Sequence, residues 1–191
     1  MAREFELKYA ATAKDLEILK EEYPHVHPIT METTYYDNPR GTLGQLHWTL
    51  RRRMENGISV CTLKIPGEGF GCGEWETECD DIHTAIGLLA AMDAPKELPA
   101  LCAEGLEAIC GARFTRLAGY VNYQGCTVEL ALDQGVFLGG GKEAPFWEVE
   151  VELKEGSEED ALAFGQALAQ KKDLKPESRS KIARARALAG L

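Results

Sequence analysis

Residues 147–154 read Trp-Glu-Val-Glu-Val-Glu-Leu-Lys. Side chains on a β-strand alternate between the two faces of the sheet. Glu148, Glu150, Glu152 and Lys154 therefore share one face, and Trp147, Val149, Val151 and Leu153 share the other. The same sorting recurs along the chain. In EFELK at 4–8, Glu4, Glu6 and Lys8 lie opposite Phe5 and Leu7. In TLRRR at 49–53, Arg51 and Arg53 lie with Thr49, opposite Leu50 and Arg52. Thr62 and Lys64 share a face, as do Glu74, Glu76 and Glu78. Glu129 and Asp133 oppose Val128, Leu130 and Leu132.

A sheet with one wet face and one core face shows this pattern too. The acidic runs add a difficulty. Carboxylates side by side on one face repel unless a cation or basic groups neutralise them. Hard divalent cations such as Mg²⁺ and Mn²⁺ prefer carboxylate oxygens. Arg and Lys pair with phosphate oxygens, Arg often through two parallel hydrogen bonds. A cavity carrying both sets suits a metal-bound polyphosphate. The apolar faces would then point outward beneath helices, which inverts the ordinary small barrel with its apolar interior.

The segments around these strands fill in an α+β pattern. A strand is predicted over Arg3–Tyr9 and a helix over Thr12–Glu22, where Leu16, Leu19 and Tyr23 recur at helical spacing before Pro24. Met31–Asp37 is rich in Thr and Tyr and reads as a strand. His47–Arg53 and Ile58–Ile65 read as a hairpin around Glu55-Asn56-Gly57. Gly73–Cys79 is a further strand. A helix is expected from Asp80 or Asp81 through Met92, and a second over Leu98–Cys110. Strands return over Phe114–Tyr123, Cys126–Asp133 and Phe146–Lys154. Ser157 and Asp160 resemble a capping box for a helix through Lys171, and a last helix is expected over Glu177–Ala189. Strands this numerous can close into a barrel.

Composition bounds the function. The 191 residues suit one domain, and 45% hydrophobic content supports a real core. The net charge of -10 argues against nucleic acid, which asks for a basic face. A small anion in a focused pocket fits better. No apolar stretch is long enough to span a bilayer, and the N-terminus has no secretory h-region. The six cysteines show no CxxC or Cys/His metal spacing, as expected for free thiols in a reducing cytoplasm.

The charged motifs together resemble the CYTH superfamily of triphosphate tunnel metalloenzymes. The resemblance begins with ExExK at 4–8. It continues in order with TYYD at 34–37, LRxR at 50–53, TLK at 62–64 and ExE from Glu74. FxR at 114–116, LDQG at 132–135, WEVEVEL at 147–153 and Ser180-Lys181 complete it. VELALDQG followed by WEVEVEL looks most like the bacterial inorganic triphosphatases. One departure is Cys72, which stands where many members carry Arg.

Residues 1–191 are expected to form one domain of a cytoplasmic protein, as length, N-terminus and cysteine usage indicate. The resemblance implies an antiparallel closed β-barrel of about eight strands with helices packed outside. It implies Mg²⁺ or Mn²⁺ as cofactor, with Glu4, Glu6, Glu148, Glu150 and Glu152 as metal ligands. Lys8, Arg51, Arg53, Lys64, Arg116 and Lys181 would hold phosphates, with Glu74 orienting those bases. Glu76 or Asp133 would position the attacking water. The implied partner is a small-molecule triphosphate, inorganic or organic, with no nucleic acid and no membrane. Two other functions stay open: a class IV-like adenylate cyclase making cAMP and pyrophosphate, and a non-catalytic polyphosphate or nucleotide sensor.

Several residues are expected to have plainer roles. Arg52 reads as a surface residue, and Arg184 and Arg186 as charges suited to a helix C-terminus. Tyr35 and Tyr36 read as packing residues. Gly139–Gly141 lacks the GxxxxGK[ST] pattern and reads as a flexible loop.

Overall fold

A computed structural model describes residues 5–66 and 72–191. The expected ligand Glu4 lies outside the described residues, and so does the side chain of Cys72.

Among the described residues, nine strands form one antiparallel sheet. In chain order they are β1 (Glu6–Ala10), β2 (His27–Asp37), β3 (Thr49–Glu55), β4 (Ile58–Pro66), β5 (Cys72–Glu78), β6 (Glu107–Tyr123), β7 (Cys126–Gly139), β8 (Lys142–Glu155) and β9 (Lys175–Pro176). Their spatial order is β5-β4-β3-β2-β6-β7-β8-β1-β9. One face of each strand from β1 to β8 lines a single cavity, charged on most strands and contributed on β2 by Ile29, Met31, Thr33 and Tyr35, so the sheet curls around that face. The expectation of a closed barrel holds only in part. Among the described residues no hydrogen bonds join β5 to β9. The edge strand β9 has two residues, one of them Pro176, which has no N–H to donate to a further strand.

Helices cover the outer face in two places. Helices α1 (Ala13–Glu22) and α5 (Glu158–Lys172) pack Leu16, Leu19, Phe164 and Leu168 on Val128, Leu130, Val149 and Val151. The short α2 (Thr42–Gln45), α3 (Ile82–Ala91) and α4 (Leu98–Cys102) pack Leu43, Ile86, Leu89 and Leu98 on Leu50 and Leu63. These apolar residues have the parity expected from the sequence. Burying each one is worth about 1.5–3 kcal/mol, so these two cores hold the sheet's outer face.

The last helix breaks the expected arrangement. Helix α6 (Lys181–Ala189) packs Ala185 and Ile182 against Met31, Phe114, Phe137 and Phe146. Phe114 and Phe146 both stand opposite Gly135, in the same rows as the charged positions. Helix α6 therefore lies on the inner face and plugs one end of the cavity. Gly139 permits the approach, because a Cβ there would stand 2.7 Å from the Ala185 carbonyl oxygen.

Three local readings also change. Gly105, at φ +107, ends the helical run early, and residues 107–110 join β6 instead. The flexible loop at Gly139–Gly141 is a tight hairpin turn. Gly140 and Gly141 have φ +57 and +72, and Gly139 pairs with Lys142. The final helix starts at Lys181, where the Ser180 side chain accepts from the Ala183 N–H.

Candidate functional site

The inner face encloses a cavity of about 660 Å³. Glu6 and Lys8 reach it from β1, Arg51 and Arg53 from β3, and Lys64 from β4. Glu74 and Glu76 come from β5, Arg116 from β6, Glu150 and Glu152 from β8, and Lys181 from α6. Strand parity thus brings most of the expected site residues together. Asp133 and Glu148 point the same way but lie beneath the cavity wall, with no solvent exposure. Arg52 takes the other face, where its Nε donates to Ser59 Oγ at 2.9 Å. Tyr35 is buried and also borders the cavity, while Tyr36 packs on the outer core.

The basic residues are tightly held and incompletely satisfied. Arg51 and Arg53 occupy alternate positions of β3, opposite Thr62 and Val60. Both keep a buried Nε without a hydrogen-bond partner. Arg51 has Glu74 at 3.9 Å, too far for a hydrogen bond. Arg53 has Glu55 at 2.5 Å. Burial and the adjacent Arg51 charge lower the pKa of Arg53, so the pair works against its own ionisation. Lys64 stands 3.1 Å from Glu74. Glu76 accepts a hydrogen bond from Thr62 Oγ1 at 3.1 Å.

Asp133, Glu148 and Glu150 form a buried cluster whose carboxylate oxygens lie within 4.8 Å of one another. Register explains it: Asp133 pairs with Glu148, and Arg116 with Asp133. Arg116 binds Asp133 through Nε and Nη2, both at 2.8 Å, and also contacts Glu150. Lys181 Nζ stands 2.8 Å from Asp133 and 2.6 Å from Glu150, and contacts Glu148. Arg184 contacts Glu148 as well. Burial opposes charge on Lys181 and Arg116, but the carboxylates outweigh it and raise both pKa values. Glu150 moves the other way: burial opposes its ionisation, yet Lys181 and Arg116 hold it well below the usual carboxylate range. Burial raises Glu148.

A second acidic row lies in the cavity wall. Glu152 pairs with Glu129 on β7 and with Glu6 on β1, so three carboxylates stand abreast on adjacent strands. Lys154 Nζ donates to Glu152 at 2.7 Å, and Lys8 is 4.0 Å from Glu6.

Arg184 and Arg186 do more than suit a helix end. Arg184 contacts the fully buried Glu148, and Arg186 Nη1 donates to buried Asp37 at 3.3 Å. The i, i+3 spacing of Lys181 and Arg184 was the available signal, since it puts both on one side of a helix.

The CYTH domain family model matches residues 2–185. An inorganic triphosphatase of Haemophilus influenzae is 30% identical over 156 residues, covering 79% of this chain and 44% of that relative. The chain thus spans less than half the length of the curated relative it matches. The Hippeastrum protein HpAC1, an adenylyl cyclase by name, is described as revealing a dominant triphosphatase activity. Its structure aligns with a TM-score of 0.72 at 18% identity, over 97% of this chain and 96% of that one. A Bacillus halodurans protein named as an adenylate cyclase aligns with a TM-score of 0.71 at 21% identity, over 95% and 96% of the two chains. At these identities the two structures speak for the fold. No helix among the described residues is long and apolar enough to cross a membrane.

Proposed function

Because the chain belongs to the CYTH domain family, we propose that it hydrolyses a triphosphate in the cavity, with a divalent metal ion. The observation that carries this reading is the Arg51/Arg53 pair. Two guanidiniums share the cavity face of β3, and each keeps a buried, unpartnered Nε. An incoming phosphate chain supplies the acceptors and relieves the repulsion. The triphosphatase relative supports the same chemistry.

The residues fit a divalent cation. The donors are carboxylate oxygens, the set that Mg²⁺ and Mn²⁺ take, and three converge within 4.8 Å. Glu148 and Glu150, with Asp133, would hold it at the buried end, and Glu6 and Glu152 at the cavity wall. When bound, the metal withdraws charge from phosphate oxygens.

The protein's own residues do the positioning. Lys8, Arg51, Arg53 and Lys64 hold the phosphate chain, and Glu74 keeps Lys64 directed at it. Arg116 is fixed by its paired bonds to Asp133. Of the two carboxylates expected to orient the attacking water, Glu76 is better placed, because it borders the cavity. Asp133 is enclosed and already accepts from Arg116.

The test is a panel of inorganic, thiamine and nucleoside triphosphates with Mg²⁺ or Mn²⁺, scored for phosphate and pyrophosphate. Phosphate release supports the reading. Formation of cAMP and pyrophosphate from ATP would replace it with a cyclase, and binding without turnover with a sensor.

A further inference from the structure

Lys181, half-buried at the cavity edge, sits among the three carboxylates that converge most closely. Its Nζ is 2.8 Å from Asp133 and 2.6 Å from Glu150, and it also contacts Glu148. These are the same three residues whose oxygens lie within 4.8 Å of one another. One ammonium thus takes oxygens from three side chains, as a metal ion would. The Phe114 and Phe146 rings stand 5.5 and 5.9 Å from the Nζ and wall in the position.

The charges around it balance. Three carboxylates meet three cations, Arg116, Lys181 and Arg184. A divalent ion added to that set would face this ammonium within contact distance, sharing the same oxygens. In a poorly screened site such repulsion is severe. The two arginines are held by their own carboxylate bonds, and Arg184 also lies over the Phe137 ring at 4.7 Å. Lys181 is a long, flexible side chain that already borders the cavity.

We propose that Lys181 is a built-in stand-in for the divalent cation, so that its ammonium and the metal compete for Asp133, Glu148 and Glu150. Metal entry displaces the Nζ into the cavity. The displaced ammonium then adds to the positive charge of Arg51, Arg53 and Lys64, where the phosphate chain binds. Metal and triphosphate therefore strengthen each other's binding, by equal factors in both directions. The helix that plugs the cavity also neutralises the metal-free site. This inference rests on the metal-dependent reading above.

The test is a calorimetric titration of the full chain with Mn²⁺ alone, without substrate. Wild type is compared with Lys181→Met, and with Lys175→Met as a control. Lys175 pairs with Asp173 on the surface. Removing the competing ammonium should tighten Mn²⁺ binding at least tenfold in Lys181→Met and leave the control unchanged. Lys181→Met also uncovers buried carboxylates, so its folding is followed by thermal unfolding with chelator and with excess Mn²⁺. The metal should raise the Tm of this variant by more than it raises that of wild type. An unchanged or weaker Mn²⁺ affinity, or an equal Tm shift, overturns the competition. Failure of the functional reading looks different: wild type then shows no metal-dependent turnover, whatever Lys181→Met binds.

Discussion

Arg186 Nη1 stands 3.3 Å from Asp37 Oδ2, joining the last helix to the end of β2 across 149 positions of sequence. Asp37 serves more than this pair. Its Oδ1 accepts from the Asn38 and Leu43 N–H groups, and its Oδ2 from the Gly44 N–H. With 2% exposure, water has little access to replace it. Asp37→Ala should therefore cost about 3–5 kcal/mol of stability, because it leaves several donors and one guanidinium unpaired. Asp37→Asn keeps an acceptor oxygen and should cost less. Denaturant unfolding measures both, and a loss below about 1 kcal/mol for Asp37→Ala would mean that this anchor does not hold α6.

That anchor marks the limit of what the sequence made legible. Strand parity is local, so Glu148, Glu150, Glu152, Arg51 and Arg53 could be assigned to an inner face from short stretches alone. The two outer cores followed from the opposite parity. The position of α6 is not local. Its charges, read by themselves, suit a solvated helix end, and their partners Glu148 and Asp37 lie 36 and 149 positions away. Closure of the sheet is also a global property, set by its far edges and not by any one strand. The shortened helix at Leu98–Cys102 turns on Gly105, whose positive φ only the folded backbone reveals.

The thiols give a pH prediction with a definite sign. Burial pushes Cys61, Cys102 and Cys110 each up to about 11. In the unfolded chain a thiol ionises near its ordinary value of about 8.5. Above that value the unfolded state loses protons that the folded state keeps. Stability should then fall as pH rises from about 8.5 toward 11. At pH 8 these thiols should also resist a thiol-specific reagent until the protein unfolds. Rapid labelling of all three in the folded protein would contradict the burial that raises them.

Metal removal should abolish turnover, and Mg²⁺ or Mn²⁺ should restore it. The acidic row Glu6, Glu152 and Glu129 motivates a sharper form. Glu6→Gln removes one charge from the cavity wall with little change of shape, so the fold should survive and the metal requirement should shift. The Mn²⁺ concentration for half-maximal activity should rise at least tenfold, read against circular dichroism that matches wild type. An unchanged Mn²⁺ requirement would take Glu6 out of the metal's reach.

Arg53 and Arg52 are neighbours in sequence and opposites in space. Arg53 borders the cavity beside Arg51, while Arg52 lies outside and bonds Ser59 and Met54. Phosphoryl transfer leaves the protein mainly to position groups and to neutralise phosphate oxygens. Arg53 reaches the cavity with one carboxylate partner, Glu55 at 2.5 Å, and with its Nε unpartnered, while burial and Arg51 lower its pKa, so an arriving anion adds an acceptor and offsets the neighbouring charge. Losing such a charge-assisted contact costs on the order of 2 kcal/mol, hence at least a tenfold drop in kcat/KM for Arg53→Ala. Arg52→Ala loses a hydrogen bond to Ser59, worth about 1 kcal/mol of stability, and should change kcat/KM less than twofold. Steady-state kinetics on inorganic triphosphate separates the two. If Arg52→Ala abolishes turnover while Arg53→Ala does not, the ligand lies on the other face of β3, and the cavity built from that face is not where the chemistry happens.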